Sequence, residues 1–183
     1  MRRLRFVFKK AKKDGEFLDD GIALYTRCIP MNWFSKFYFC HVEMEFVERG
    51  VCFSSTMQDP WSGVRFAPTN EVIVDRNRWE GFEILVPDYT EEHLYFLAQG
   101  EVGKKYDVPG LTTGFFFAAA FLQNDAKRYC SDICGWLATC LGIFRSRYWI
   151  LSPIRMAELL QKKLGRPPMP YSNLIVVSQE PPQ

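Results

Sequence analysis

Apolar and polar positions alternate over several short stretches of the first half of the chain, and a period of two marks a half-buried strand. Residues 39–47 and 51–58 show it best, with Glu48-Arg49-Gly50 between them as the turn of a hairpin. Residues 71–74 and 82–86 read as two further strands, the second closed by Pro87. A short apolar run over 21–27 follows the turn-prone Asp19-Asp20. In the second half the period lengthens. Thr90 is placed to cap a helix that carries Glu91 and Glu92 in its first turn and runs to about Gln99. Another helix starts near Cys130 and stops at Gly142, and a third has Ser152 as cap, Pro153 in the first helical position and Gly165 at its end. The segment Arg166-Pro-Pro-Met-Pro interrupts the pattern, residues 173–177 read as one last strand, and the tail Glu180-Pro-Pro-Gln reads as frayed.

Strands followed by helices without strict alternation predict an α+β fold, an antiparallel sheet packed against helices. The chain has 183 residues, which fits a single domain over 1–183 with a basic N-terminal strand at 1–13 and a Pro-rich tail from about 166. Apolar residues make up 48% and aromatics 16%, which excludes a disordered chain.

The net charge of +2 hides an uneven distribution: residues 1–13 hold seven basic groups and no acid, so the rest carries −5. Such an arm suits nucleic acid, anionic lipid or an acidic partner. It also alternates with Leu4, Phe6 and Phe8, and Lys and Arg are common on sheet edges, so an edge strand is expected here. The six cysteines lie in apolar runs without a Cys-x-x-Cys, and only His41 and His93 are histidines, so neither a metal nor a cofactor is expected. No secretion signal or membrane-length apolar segment is visible, which points to a cytoplasmic or virion-associated protein.

Candidate chemistry enters at two places. On the strand Cys40-His41-Val42-Glu43-Met44-Glu45-Phe46, the pleat puts His41, Glu43 and Glu45 on one face and the apolar residues on the other. A two-residue turn at Arg49-Gly50 would set Glu45 opposite Ser54, Glu43 opposite Thr56 and His41 opposite Gln58. The bland reading is a solvated sheet face. The second place is Tyr129-Cys130-Ser131-Asp132, where a loop turns into a helix. A thiol there meets free backbone amides and the positive end of the helix dipole, which favour a thiolate and can hold an oxyanion. The bland reading is a core cysteine ahead of an apolar helix, as Cys134 and Cys140 are expected to be.

Taken in order, Asp20-Gly21-Ile22-Ala23-Leu24, His41-Val42-Glu43, Gly103-Lys104-Lys105-Tyr106-Asp107, Cys130-Ser131-Asp132 and Ser152-Pro153-Ile154 resemble the circularly permuted branch of the NlpC-type papain-like superfamily. That branch includes bacterial and viral thiol hydrolases and the lecithin–retinol acyltransferase group. The resemblance implies a permuted papain-like fold, Cys130 as nucleophile and His41 as base; the family's third residue usually lies on the strand after the histidine, where this chain departs from the pattern and offers Gln58 opposite His41, while Glu43 is placed to reach the imidazole along its own strand. It places Ser131 and Asp132 at the oxyanion-binding helix start and Tyr106, Asp107 and Tyr129 along a substrate cleft. Glu43 ranks ahead of Gln58 because a carboxylate stabilises an imidazolium, and His93 is expected to face solvent.

The activity implied is hydrolysis of an amide or ester through an acyl-enzyme, on a cell-wall peptide, another peptide-like substrate or a lipid acyl group. Phe115-Phe116-Phe117 is either an acyl-pocket wall or core. The alternative is an inactive papain-like module that assembles with other virion or cell-envelope proteins. A third reading, binding of nucleic acid through the basic arm, has no recognised motif behind it.

Overall fold

The computed structural model describes residues 1–11, 35–57, 62–107, 127–145 and 151–177. The expected strand over 21–27, Gln58, the aromatic run Phe115-Phe116-Phe117 and the C-terminal tail lie outside the described residues. Alternation of apolar and polar side chains produces the main strands β1 (Arg2–Lys10), β2 (Phe39–Phe46), β3 (Val51–Thr56), β4 (Gly63–Pro68) and β5 (Trp79–Val86). With the short β8 (Met169–Pro170) they form one antiparallel sheet in the order β4-β3-β2-β1-β5-β8. The pairs β6 (Lys105–Tyr106) and β7 (Lys127–Arg128) make a second, parallel two-stranded sheet. The described helices are α1 (Thr69–Val72), α2 (Asp88–Glu101), α3 (Cys130–Cys140), α4 (Pro153–Leu164) and α5 (Tyr171–Val177). The architecture is therefore α+β with an antiparallel sheet.

One face of the sheet is apolar. Phe6, Phe8, Val42, Met44, Phe46 and Phe53 bury against Ile133 and Leu137 of α3 and Ile154 and Leu160 of α4, all below 1% exposed. At roughly 1.5–3 kcal/mol per buried large side chain, this layer supplies most of the driving force for folding. Helix α4 forms as its signals dictate: Ser152 Oγ accepts from the Arg155 amide at 3.1 Å, Pro153 opens the helix and Gly165 closes it.

Four expectations are corrected. The basic segment is a central strand, not an edge, because its cations find partners across both neighbours: Arg5 lies 2.8 Å from Glu83 and 3.4 Å from Glu45, Arg3 2.8 Å from Glu48, and Lys10 3.4 Å from Glu80. Residues 71–74, expected as a strand, are not one: 71 and 72 end the helical turn Thr69–Val72 that follows Pro68, and Val74 is exposed. The β-branched run at the chain's end is helical, because Tyr171 and Leu174, three apart, dock on the sheet beside Val7. The helix expected at Thr90 starts at Asp88 after Pro87. Strand β4 was not anticipated.

The hairpin register also differs. Met44 pairs with Phe53, Glu45 with Cys52 and Phe46 with Val51, because Val47–Arg49 form a 3-10 turn that Gly50 ends at φ 66°. The shift is two residues, so every side chain keeps its face.

Candidate active site

The second sheet face is arranged in rows. At one end Trp79, Lys9 and His41 lie side by side on β5, β1 and β2; next come Gly81, Val7 and Glu43; then Glu83, Arg5 and Glu45. The third row is closed by α5: Tyr171 donates to Glu45 at 2.8 Å, and Arg5 donates to the Leu174 carbonyl at 2.8 Å. Gly81 has no side chain because a Cβ there would meet the Phe6 carbonyl at 2.7 Å. In the first row the His41 side chain keeps 18% of its surface, and the buried Trp79 ring stands edge-on to it at 6.4 Å between centroids. Glu45 shares the strand face of His41, as expected, and belongs to this separate ion cluster under α5.

Helix α3 approaches His41 where β2 and β3 separate. Their ladder is paired only as far as Met44 and Phe53. Beyond it the Val42 carbonyl accepts from Ser54 Oγ at 2.7 Å, and Cys134 Sγ lies 3.7 Å from both the Val42 and Phe53 carbonyls. Cys134 thus seats α3 against the open ladder, and Cys130, one turn earlier, comes close enough to His41 for its sulfur to raise the imidazole pKa. Ser55 Oγ donates to the Arg128 carbonyl at 2.7 Å and fixes the entry into the helix. On the other side, Gly63 approaches the Lys104 carbonyl so closely that a Cβ would sit 2.5 Å from it, at φ +98°. The Val64 amide donates to that carbonyl at 2.8 Å, which sets β6 in place. Tyr106, on β6, comes near Cys130: burial raises the pKa of its hydroxyl, and the Cys130 sulfur adds to the rise.

Three side chains therefore converge. His41 Nε2 lies 2.6 Å from Glu43 Oε1, which leaves Nδ1 as the nitrogen for Cys130. Glu43 is fully buried and also takes both arms of Arg65, at 2.7 Å to Oε2 and 2.6 Å to Oε1. Burial disfavours the charged imidazole, but the Cys130 sulfur and then Glu43 outweigh it and raise the His41 pKa to about 9. Burial likewise opposes the Glu43 carboxylate, and Arg65 followed by His41 overrides it, bringing its pKa down to about 2.

The first turn of α3 is oriented by its side chains. Ser131 is buried with Oγ on the Leu151 carbonyl, and Asp132 is held by Arg128 at 3.3 Å. Ile133 is the first residue of the helix to donate to a preceding carbonyl, that of Tyr129, so the amides of Cys130, Ser131 and Asp132 have no acceptor within the helix. Burial lifts the Asp132 carboxyl to about 6 despite Arg128, and Asp107 and Glu101 add to the rise. Asp107 and Tyr129 are buried, so of the three residues assigned to a cleft only Tyr106 keeps exposed surface. His93 is exposed on α2, as expected, while Cys140, expected to pack, is exposed as well.

Sequence reasoning missed Arg65. The signal was present in Val64-Arg65-Phe66, an alternating triplet on the strand that went unrecognised. Among the described residues no group of His, Cys, Asp or Glu side chains is arranged to hold a metal ion, and no helix is long and apolar enough to cross a membrane. Comparison with protein families, curated proteins and solved structures returns no match.

Proposed function

We propose that the chain is a cysteine-dependent hydrolase of amides or esters on a permuted papain-like fold, with Cys130 as nucleophile, His41 as base and acid, and Glu43 as its orienting carboxylate. One observation carries this reading: His41 Nε2 lies 2.6 Å from a buried carboxylate, and the sulfur of a cysteine at a helix start lies near enough to the same imidazole to raise its pKa. The thiolate attacks the carbonyl carbon, a C–S bond forms, and the oxygen takes the negative charge beside the first-turn amides of α3. The His41 imidazolium gives its proton to the departing nitrogen or oxygen as that bond breaks. Neutral His41 then takes a proton from water, whose oxygen attacks the thioester, and Cys130 leaves as thiolate with the proton kept on His41. Peptide-like amides, cell-wall peptides among them, and lipid acyl esters are the substrate classes.

A second reading rests on one fact: Cys130 is only 3% exposed. A covered thiol fits a non-enzymatic module that assembles with virion or cell-envelope proteins. Labelling with iodoacetamide and with a peptide vinyl sulfone, on the wild type, Cys130→Ala and His41→Ala across a range of pH, separates the two. The enzyme reading expects Cys130 to label well below the pH at which a free thiol ionises, and to lose that advantage without His41. Labelling of Cys130 that follows an ordinary thiol titration in the wild type supports the module.

A further inference from the structure

A carboxylate buried behind an imidazole fails in two ways: it takes up a proton, or it turns away. Glu43 is exposed to both, since none of its surface meets solvent. The titratable and charged groups around it are His41 on its own strand, Cys52 on β3, Cys134 and Cys130 on α3, and Arg65 on β4; β1 presents Val7 directly opposite. Two neutral thiols and a valine do nothing to keep a carboxylate charged. Arg65 does.

We propose that Arg65 is a positioning residue for the His41–Cys130 pair, locking the Glu43 carboxylate, ionised, in the orientation that accepts from His41 Nε2. This rests on the hydrolase reading above. The geometry is specific. Arg65 pairs with Ser54 across the β3–β4 ladder, and Ser54 turns its hydroxyl to the Val42 carbonyl. A small residue with its hydroxyl turned aside lets the guanidinium pass over β3 to Glu43. Both terminal nitrogens bond the carboxylate, one to each oxygen, a fork that a lysine ammonium does not reproduce. Arg65 Nε is buried with no acceptor among the described residues, so the side chain is desolvated without being fully satisfied. A buried ion pair of this kind is often less stable than well-packed apolar residues of the same size. Holding the carboxylate that orients His41 is a reason for it to be there.

The test is the pH profile of Cys130 alkylation by iodoacetamide in the intact chain, for the wild type, Arg65→Met, Arg65→Lys, Glu43→Gln and the double variant Glu43→Gln/Arg65→Met, with folding followed by circular dichroism. Near pH 7, Arg65→Met should slow alkylation by about tenfold or more, the effect of one pKa unit, and Arg65→Lys by less. Its acid limb should gain a second step as Glu43 takes up a proton, a step absent from Glu43→Gln. Millimolar guanidinium should restore part of the rate to Arg65→Met, while equal concentrations of sodium or methylammonium should not. Because Arg65 acts through Glu43, the double variant should be no slower than Glu43→Gln alone. A profile of Arg65→Met that superimposes on the wild type overturns the proposal, as does a double variant whose losses multiply. If Arg65→Met does not fold, the double variant, which leaves neither charge unpaired, decides by the same comparison. A wild-type Cys130 without enhanced reactivity refutes the hydrolase reading itself, a result distinct from any of these.

Discussion

Glutamine at position 43 keeps the size of the side chain and one acceptor oxygen and removes its charge. In the wild type the His41 pKa is about 9, with burial pulling it down and Cys130 and Glu43 pushing it up. An opposite charge at hydrogen-bond distance is worth roughly 1–3 units. Glu43→Gln also leaves the Arg65 guanidinium, which shares that carboxylate with His41, as an uncompensated like charge. The shift should therefore lie in the upper part of that range, with His41 titrating roughly 2–3 units lower. The chain has two histidines, so a proton–carbon correlation spectrum shows two ring signals, and His41→Ala identifies which is which. Stability follows the same titration. Since the folded pKa lies above the 6.5 of an unperturbed histidine, the stabilisation from His41 is complete below about pH 6.5 and is lost as pH rises through about 9. That interval corresponds to on the order of 3 kcal/mol, and in Glu43→Gln the loss should move to lower pH and shrink. A His41 signal that still titrates near 9 in the variant would show that Glu43 does not set its charge state.

The remaining expectations concern the surroundings of the pair. Gly63→Ala, which places a Cβ 2.5 Å from the Lys104 carbonyl at φ +98°, should cost roughly 1–3 kcal/mol in a thermal melt and slow Cys130 alkylation by displacing Tyr106. Asp132 has a folded pKa of about 6 against 3.8 unperturbed, so it lowers stability as pH rises between those values, by on the order of 3 kcal/mol. Asp132→Asn should remove that fall, seen as a smaller difference between urea midpoints at pH 4 and pH 8 than the wild type gives. Burial raises the pKa of the Cys140 thiol even though the residue is exposed, so iodoacetamide at pH 6 should modify Cys130 and spare Cys140, with both labelled at pH 9.5. Peptide mapping reads this directly, and preferential labelling of Cys140 at pH 6 would count against the assignment of the nucleophile.

Local signals were legible where local physics decides. Ser152-Pro153 and Gly165 bounded α4 because a cap hydroxyl, a ring without an amide and a residue free of Cβ act on their immediate neighbours. The ionisable face of β2 was legible because a pleat needs only a count of two. Its register was not, since Val47–Arg49 close a tighter turn and bring Glu45 to Cys52. The position of β1 at the centre of the sheet was not legible at all. Its cations look like an exposed edge until Glu45, Glu48 and Glu83 are brought beside them from distant parts of the chain. Arg65 escaped for the same reason: its role depends on β4 lying beside β3, and no local pattern announces a strand pairing.

The three rows of the polar face explain how one strand serves two purposes. Glu45 and His41 lie four residues apart on β2, with the same pleat direction and the same supply of neighbouring cations. What separates them is cover. Over Glu45 the sheet carries α5, with Tyr171 and the Leu174 carbonyl completing the bonds of Glu45 and Arg5, so the charges there staple a helix to the sheet. Over His41 there is no such helix among the described residues, the side chain keeps 18% of its surface, and its second nitrogen is free for a thiol. Glu43 stands between the two and belongs to the exposed side only because Arg65 reaches it from β4 rather than Arg5 from β1. Valine at position 7, directly opposite Glu43, is what keeps them apart: a cation there would tie the carboxylate into the staple. The apolar gap in the middle row is therefore as much a part of the site as the charges on either side of it.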